Sequence, residues 1–237
     1  MTPQALLFDV FGTLVDWRSG LIRDFELHFQ KHPCDLDPAL LADAWRAEYQ
    51  PSMAPIRDGS RPYTKLDVLH RENLFKIADR FGFPLGDETD IDWLVKAWHR
   101  LPAWADVSSG MAELRKQAIC AAQSNGHIAL SVNLARYNGY SWDAVLGAEV
   151  VGTYKPAPES YLRACDALDL PPAACMMVAA HNSDLLAAKA CGLQTAFVRR
   201  ATEHGPGQTI DLEAASGIDL SAGSLTELAH KLRNEIR

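Results

Sequence analysis

Short apolar runs alternate with helical patterns along most of the chain. Five runs are continuous enough to be strands buried on both faces, as expected in a parallel sheet. They are residues 5–8, 118–123, 144–151, 176–180 and 195–198. Apolar positions at helical spacing predict helices among them, over residues 110–116, 130–137, 159–168, 183–191 and 225–236. Strands that alternate with helices predict parallel βαβ units.

Residues 17–100 interrupt this alternation, because they contain helical patterns and no strand-like run. The patterns cover residues 20–29, 38–49, 64–81 and 88–98, around an irregular loop rich in proline at 50–63. We interpret residues 17–100 as an α-helical cap, inserted into a core of residues 1–16 and 101–237. The predicted fold is α/β, with a doubly wound, mostly parallel, Rossmann-like sheet. A cap over the carboxyl ends of the strands would exclude water from a site there.

Polar side chains follow four of the predicted strands. Taken singly, each is a common turn or capping residue. A parallel sheet brings the carboxyl ends of its strands to one edge, so these groups are expected to lie close together. They offer a carboxylate, a hydroxyl, amides, an ammonium and a second carboxylate, from Asp9, Gly12-Thr13, Ser124-Asn125-Gly126, Lys155-Pro156 and His181-Asn182-Ser183-Asp184.

This constellation resembles the haloacid dehalogenase superfamily, over about residues 5–200. Most members are phosphatases, which have a second aspartate two residues after the nucleophile, as general acid and as part of a magnesium site. Here that position is Phe11, in Asp9-Val10-Phe11. A site without that carboxylate is poorly equipped to stabilise a transferring phosphoryl group.

With Phe11 at that position, the sequence resembles one branch of the superfamily, the type II 2-haloacid dehalogenases, which use no metal. Asp-Val-Phe-Gly-Thr-Leu at residues 9–14 resembles the first motif of that branch. Trp45-Arg46 lies in the predicted cap, where the branch has a Trp-Arg pair. Tyr161 follows Lys155 by six residues, as the tyrosine of the branch follows its lysine. Without the motif, Arg46 and Tyr161 would be ordinary helix residues.

The resemblance implies that Asp9 attacks C2 of a short 2-haloacid. Halide leaves, an aspartyl ester forms with inversion, and water then releases the 2-hydroxy acid. Lys155 would keep Asp9 ionised, and Thr13 would orient it. Asp184 would support Lys155 or position the hydrolytic water. No metal or cofactor is implied.

The substrate itself would be held by a second set of residues. Ser124, Asn125 and the backbone N–H of Val10 would bind the substrate carboxylate. Arg46 would meet the departing halide, whose charge grows as the bond breaks. Phe11 would form part of the apolar wall around the alkyl group.

The last motif departs from the branch, which commonly has Ser, then Asn, then Asp. Those positions are Ala179, His181 and Asp184 here. Beside Asn182, His181 would narrow the halide pocket or help to activate water, although it is also compatible with a packed histidine. A narrower pocket would favour chloride and fluoride, which places fluoroacetate among the expected substrates.

Composition restricts the partners. Lys and Arg total 23 and Asp and Glu total 30, a net charge of −7, which disfavours nucleic acid and anionic membranes. No apolar run approaches the ~18 residues of a membrane helix, and the N-terminus lacks a signal-peptide pattern. The five cysteines have no CxxC spacing, which favours reduced thiols and a cytoplasmic protein.

The resemblance suggests a homodimer that binds only a small 2-haloacid and water. The cap stripe of Leu69, Leu74 and Ile77 is compatible with such an interface and equally with internal packing. Two alternatives to the dehalogenase stay open. One is a magnesium-dependent phosphatase of the same fold, and the other is a scaffold that binds without catalysis.

Overall fold

Six strands form one parallel sheet in the computed structural model, which describes residues 2–235. Their order is β3-β2-β1-β4-β5-β6, so the chain winds outward in both directions from β1. The carboxyl end of β1 therefore lies at the point where ligands bind in such sheets. This confirms the predicted doubly wound parallel fold. The strands are β1 Ala5–Phe8, β2 Ile119–Ala122, β3 Ala144–Val145, β4 Cys175–Ala179, β5 Gln194–Val198 and β6 Leu220–Ala222.

Five α-helices lie in residues 17–100, the segment that we interpret as the cap. They are α1 Trp17–Lys31, α2 Pro38–Ala47, α3 Tyr49–Arg57, α4 Leu66–Phe81 and α5 Glu88–Val95, followed by a 3-10 helix over Lys96–His99. The stripe of Leu69, Leu74 and Ile77 is fully buried within the chain and is not available to a second copy. The homodimer itself stays a prediction.

The remaining helices flank the sheet. They are α6 Val107–Leu114, α7 Ile128–Asn138, α8 Ala148–Val151, α9 Pro158–Asp166, α10 Asn182–Ala190 and α11 Leu225–Glu235, with a 3-10 turn over Pro172–Ala174. Ile236, the last residue of the predicted terminal helix, lies outside the described residues. Within residues 2–235, none of the helices has both the length and the apolar character needed to cross a membrane.

The central strand β1 is buried on both faces because its side chains alternate between two hydrophobic clusters. Leu6 and Phe8 belong to a large cluster that continues into the cap helices. Ala5 and Leu7 face a second cluster, formed with α9 and α10 on the other side of the sheet. Period-two alternation with apolar surroundings on both sides explains why β1 reads as a continuous apolar run.

The predicted strand over residues 144–151 is wrong in its second half. The strand ends at Val145, and Ala148–Val151 forms α8. Gly147 lies against the loop after β2, where a Cβ would come within 2.5 Å of the Gly126 carbonyl oxygen. The apolar residues after Gly147 therefore pack as one helical turn that closes on this loop, and the strand is not extended.

Two further elements were absent from the sequence prediction. Helix α3 occupies part of the predicted loop at 50–63. Pro51 is compatible with this helix because it lies in the first turn, where backbone N–H groups have no helical partner. Strand β6 pairs in parallel with β5 at the sheet edge. Its three residues are too short and too polar to give an apolar run.

Candidate active site

Asp9 follows the last residue of β1, and its carboxylate faces three donors. Lys155 Nζ donates to Asp9 Oδ1 at 2.9 Å, and Thr13 Oγ1 donates to Oδ2 at 2.7 Å. The third neighbour is His181, whose Nδ1 lies 3.3 Å from Oδ2. The Asp9 backbone is fixed by its N–H, which donates to the Val178 carbonyl of β4. The carboxylate is thus both oriented and charge-compensated.

These neighbours keep Asp9 ionised although it is only 7% exposed. Burial by itself would raise the pKa of Asp9, but the Lys155 ammonium and the His181 ring outweigh it and hold the pKa well below its ordinary value. A carboxylate that is ionised, oriented and shielded from water is suited to act as a nucleophile.

Lys155 lies between two carboxylates. Its ammonium donates to Asp9 and, at 2.5 Å, to Asp184 Oδ2. The other oxygen of Asp184 accepts the Tyr161 hydroxyl at 2.6 Å. Burial would lower the pKa of Lys155, but Asp184 and Asp9 raise it above its ordinary value. The backbone N–H of Lys155 donates to Asn125 Oδ1 at 2.8 Å, which ties this loop to the loop after β2.

His181 connects Asp9 to a second buried carboxylate. Its Nε2 lies 3.0 Å from both oxygens of Glu203, which is 1% exposed. The indole N–H of Trp17 donates to Glu203 Oε1 at 2.9 Å. Burial opposes a charge on His181, but Glu203 and Asp9 raise the pKa of His181 to about 10. The ring is therefore an imidazolium between two carboxylates at neutral pH.

Arg46 extends from α2 towards the same site. Its guanidinium carbon lies 4.2 Å from the Tyr49 ring centroid and 5.4 Å from that of Trp17. Its Nη1 is buried and has no hydrogen-bond partner in the described part of the chain. Phe11 packs edge-on against Tyr49 and Trp98, which gives this side of the site an aromatic surface.

A cavity of about 440 Å³ opens between the sheet edge and the cap. Its walls include both charged groups and aromatic rings, as in sites for small polar ligands. Eight of the predicted site residues line it: Asp9, Phe11, Arg46, Asn125, Lys155, Tyr161, His181 and Asp184.

Four predicted residues lie behind the cavity wall. Thr13 acts through its bonds to Asp9 and to the Ala180 N–H. Val10 is fully buried, and Ser124 Oγ accepts the Gly126 N–H at 3.1 Å. The Asn182 side chain binds the loop after β5, through Asp211, Glu213 and Ala215.

Sequence reasoning missed several residues of the site. Tyr49 lines the cavity and stacks on Arg46, although it lies where the sequence predicted the end of a helix. Glu203 lies in the loop after β5, which carries no motif. Its neighbour His204 also lines the cavity. A lone glutamate in a polar loop is ordinarily solvent-exposed, so only its burial singles it out.

The site lacks one carboxylate that a magnesium ion could use. Mg²⁺ needs several oxygen ligands, and the position two residues after Asp9 is the apolar Phe11. Both oxygens of Asp9 already face cationic or hydroxyl donors.

Within the described residues, Asp67, His99 and His127 bring their ligand atoms within 4.8 Å of one another, outside the cavity. The ammonium of Lys96 already contacts the Asp67 carboxylate. We therefore describe this group as an ion-pair network between α4, the 3-10 helix and the start of α7.

Comparison with known proteins identifies the family. The family model for haloacid dehalogenase-like hydrolases matches residues 3–192. The crystal structure of an L-2-haloacid dehalogenase is 46% identical, with a TM-score of 0.93 over 98% of this chain and 99% of that one. A defluorinating L-2-haloacid dehalogenase is 42% identical, with a TM-score of 0.95 over 98% of this chain and 95% of that one.

A more distant relative has the same activity in its name. The (S)-2-haloacid dehalogenase 1 of Pseudomonas sp. (strain CBS-3) is 27% identical over 203 residues, which are 83% of this chain and 85% of that protein. The family model spans most of the chain, and both crystal structures match it over nearly its full length. The chain therefore belongs to the haloacid dehalogenase-like hydrolases, in their L-2-haloacid dehalogenase branch.

Proposed function

We propose that this protein hydrolyses short (S)-2-haloalkanoic acids to 2-hydroxy acids, through an ester on Asp9 and without a metal ion. The observation that carries the proposal is the setting of Asp9, which is buried, ionised and flanked by Lys155 and His181, with Phe11 where a phosphatase has its second carboxylate. Carbon–halogen displacement needs an ionised nucleophile and a site for the departing anion. It needs no acid at the position of Phe11.

The halide site in this proposal is Arg46. Its buried, unpartnered Nη1 is a donor that an anion would satisfy, at the cavity face opposite the sheet. Stacking on Tyr49 holds the guanidinium plane in place. Charge that develops on the leaving halide would then be stabilised by a donor that needs no reorganisation.

The substrate carboxylate would bind at the loop after β2. Asn125 lines the cavity there, and the backbone N–H of Val10 has no hydrogen-bond partner within residues 2–235. Ser124 would contribute from behind Asn125, through its backbone or by turning its hydroxyl. This arrangement would place C2 of the acid between Asp9 and Arg46.

Fluoroacetate belongs in the proposed substrate range. His181 fills space beside Asp9, where the branch commonly has a small amide, which leaves less room around C2 for a bulky substrate. The relative at 42% identity is described as defluorinating. We therefore expect small haloacids to be accepted, with fluoride as well as chloride as the leaving group.

The test is halide release in EDTA from (S)-2-chloropropionate, chloroacetate and fluoroacetate. Wild-type protein should release halide from at least the chlorinated acids, and Asp9→Asn should release none. Inactivity of the wild type on all three, together with phosphate release from a generic ester once Mg²⁺ is added, would replace the dehalogenase with the phosphatase.

A further inference from the structure

Displacement at Asp9 gives no role to Glu203, a buried carboxylate that contacts His181. A buried carboxylate is costly unless it is paired and hydrogen-bonded. Glu203 fulfils both conditions through His181 and Trp17. It also lies directly against Gly12, where a Cβ would come within 2.0 Å of Glu203 Oε1. The loop after β1 thus has room for this carboxylate only because residue 12 has no side chain.

The other candidate base, Asp184, is held by two donors that both remain after Asp9 is esterified. Hydrolysis of the Asp9 ester requires a group that takes a proton from water. Asp184 has one oxygen on the Lys155 ammonium and the other on the Tyr161 hydroxyl. The Nδ1 atom of His181 instead faces Asp9, and its Nε2 atom is bound to Glu203. A ring whose far nitrogen is bound to a carboxylate is oriented as a general base.

We propose that His181, positioned by Glu203, is the base that activates the water that hydrolyses the Asp9 ester. The inference rests on the proposed dehalogenase function and names the residue that completes its second step. His181 is a catalytic residue in this scheme because it touches the reacting carboxyl group. Glu203 acts through His181 and is a positioning residue.

The proton balance of the cycle follows from the charges. In the resting enzyme, imidazolium faces the Asp9 carboxylate. Displacement releases halide and turns that carboxylate into a neutral ester, so His181 loses one of its two anions and gives its proton to solvent. This is the single proton that overall hydrolysis to hydroxy acid and halide produces.

The neutral ring then serves the second step. It takes a proton from water as the oxygen attacks Cγ of Asp9, and it passes that proton to the departing oxygen of the hydroxy acid. The acid proton left on Asp9 moves to His181, which restores the imidazolium–carboxylate pair. Bonds, charges and protons balance without another reactant.

The experiment separates the two steps by rapid quench with (S)-2-chloropropionate. In His181→Asn and Glu203→Gln, the first equivalent of halide should be released at a rate within about tenfold of wild type. Turnover should fall by about 10²–10⁴-fold, the usual contribution of general acid–base catalysis. Intact-protein mass should show the substrate's 1-carboxyethyl group on the enzyme. Glu213→Gln, an exposed glutamate of the same loop, is the matched control.

Three other results of this experiment would lead to different conclusions. An equal loss in the first halide equivalent and in turnover would place His181 in the displacement and overturn the proposal. Wild-type turnover in both variants would also overturn it. A wild-type protein that releases no halide would instead refute the dehalogenase function. The double variant His181→Asn/Glu203→Gln removes both charges together and gives the same readout if Glu203→Gln does not fold.

Discussion

At the scale of single residues, the site consists of alternating charges buried at one sheet edge. Asp184, Lys155, Asp9, His181 and Glu203 follow one another, each within hydrogen-bond or ion-pair distance of the next. Every charge depends on its neighbours, because an isolated ion would be strongly destabilised by burial. The chain of contacts keeps Asp9 anionic and also makes the site sensitive to removal of any member.

Lys155→Met tests this dependence. It leaves Asp9 and Asp184 without their shared cation, so we expect the free energy of unfolding to fall by about 3–5 kcal/mol. Urea unfolding at pH 7 measures it. Lys189→Met, which breaks the exposed pair with Asp219, should cost about 0–1 kcal/mol. Similar losses in the two variants would contradict the buried network.

The proton on His181 predicts a pH dependence of stability. Its pKa is about 10 in the folded protein against 6.5 for the free group, so the folded state binds more protons between these values. The stabilisation is complete below about pH 6 and is lost as the pH rises towards 10. One such proton changes the free energy of unfolding by at most about 1.4 kcal/mol per pH unit.

Urea unfolding from pH 6 to 10 compares wild type with the double variant His181→Asn/Glu203→Gln. The free energy of unfolding of the wild type should fall more steeply with rising pH than that of the variant, since the other titrating groups are common to both proteins. Arg46 and His204 also face Glu203 and are unchanged in both. Parallel curves would show that His181 is not protonated in the folded state.

At the scale of elements, the loop between β1 and α1 is the part most tightly constrained. Thr13 joins it to the end of β4 through the Ala180 N–H. The carbonyl of Gly12 accepts the Trp104 indole N–H, and that of Thr13 accepts Arg200 Nε, each at 2.9 Å. Three other segments of the core therefore hold the loop that carries Asp9.

Gly12→Ala should disturb this loop strongly. Gly12 has φ +83°, a conformation that costs an L-residue about 1–2 kcal/mol, and its Cβ would collide with Glu203. Adding about 1–3 kcal/mol for overpacking, we expect a loss of about 2–5 kcal/mol in thermal or urea unfolding. Gly59→Ala is the control, because its φ is +80° and nothing lies within 4 Å of the added Cβ. Gly59→Ala should cost only about 1–2 kcal/mol, from the unfavourable backbone conformation.

At the scale of the whole molecule, the cap and the core share one hydrophobic cluster and one ion-pair network. The network centres on Asp67 of α4, whose Oδ1 contacts His99 Nε2 at 2.8 Å. Its Oδ2 lies 3.6 Å from Nε2 of His127, the residue before α7. Burial would raise the pKa of Asp67, but His99, Lys96 and His127 hold it below its ordinary value. The network thus ties the cap to the core beside the cavity.

Asp67→Asn should destabilise the protein by about 1.5–3 kcal/mol at pH 7, the usual worth of charged hydrogen bonds. The pKa of Asp67 is lower in the folded protein than the 3.8 of the free group. The stabilisation is therefore present above pH 3.8 and is lost as the pH falls through the pKa of the folded state. The difference from wild type should therefore shrink below pH 4 in urea unfolding. Asp43→Asn, in an exposed pair with Arg18, should cost under about 1 kcal/mol. A difference that grows in acid would contradict the assignment.

The sequence alone determined the architecture and the centre of the site. Apolar runs that are buried on both faces identify the central strands of a parallel sheet, and such a sheet necessarily gathers its carboxyl ends. Asp9, Lys155 and Asp184 were predictable together for that reason. Arg46 required the resemblance to a family, because a single arginine on a helix carries no signal of its own.

Only the tertiary structure decided which polar groups are buried together. Glu203 lies 22 residues beyond His181 in a loop without a motif, and nothing local distinguishes it from a solvated glutamate. Short elements such as α8 and β6 were likewise decided by neighbours, because three or four residues carry too little periodicity. Local patterns record which faces are apolar. Pairing of buried charges depends on distances between distant segments, and these exist only once the chain has folded.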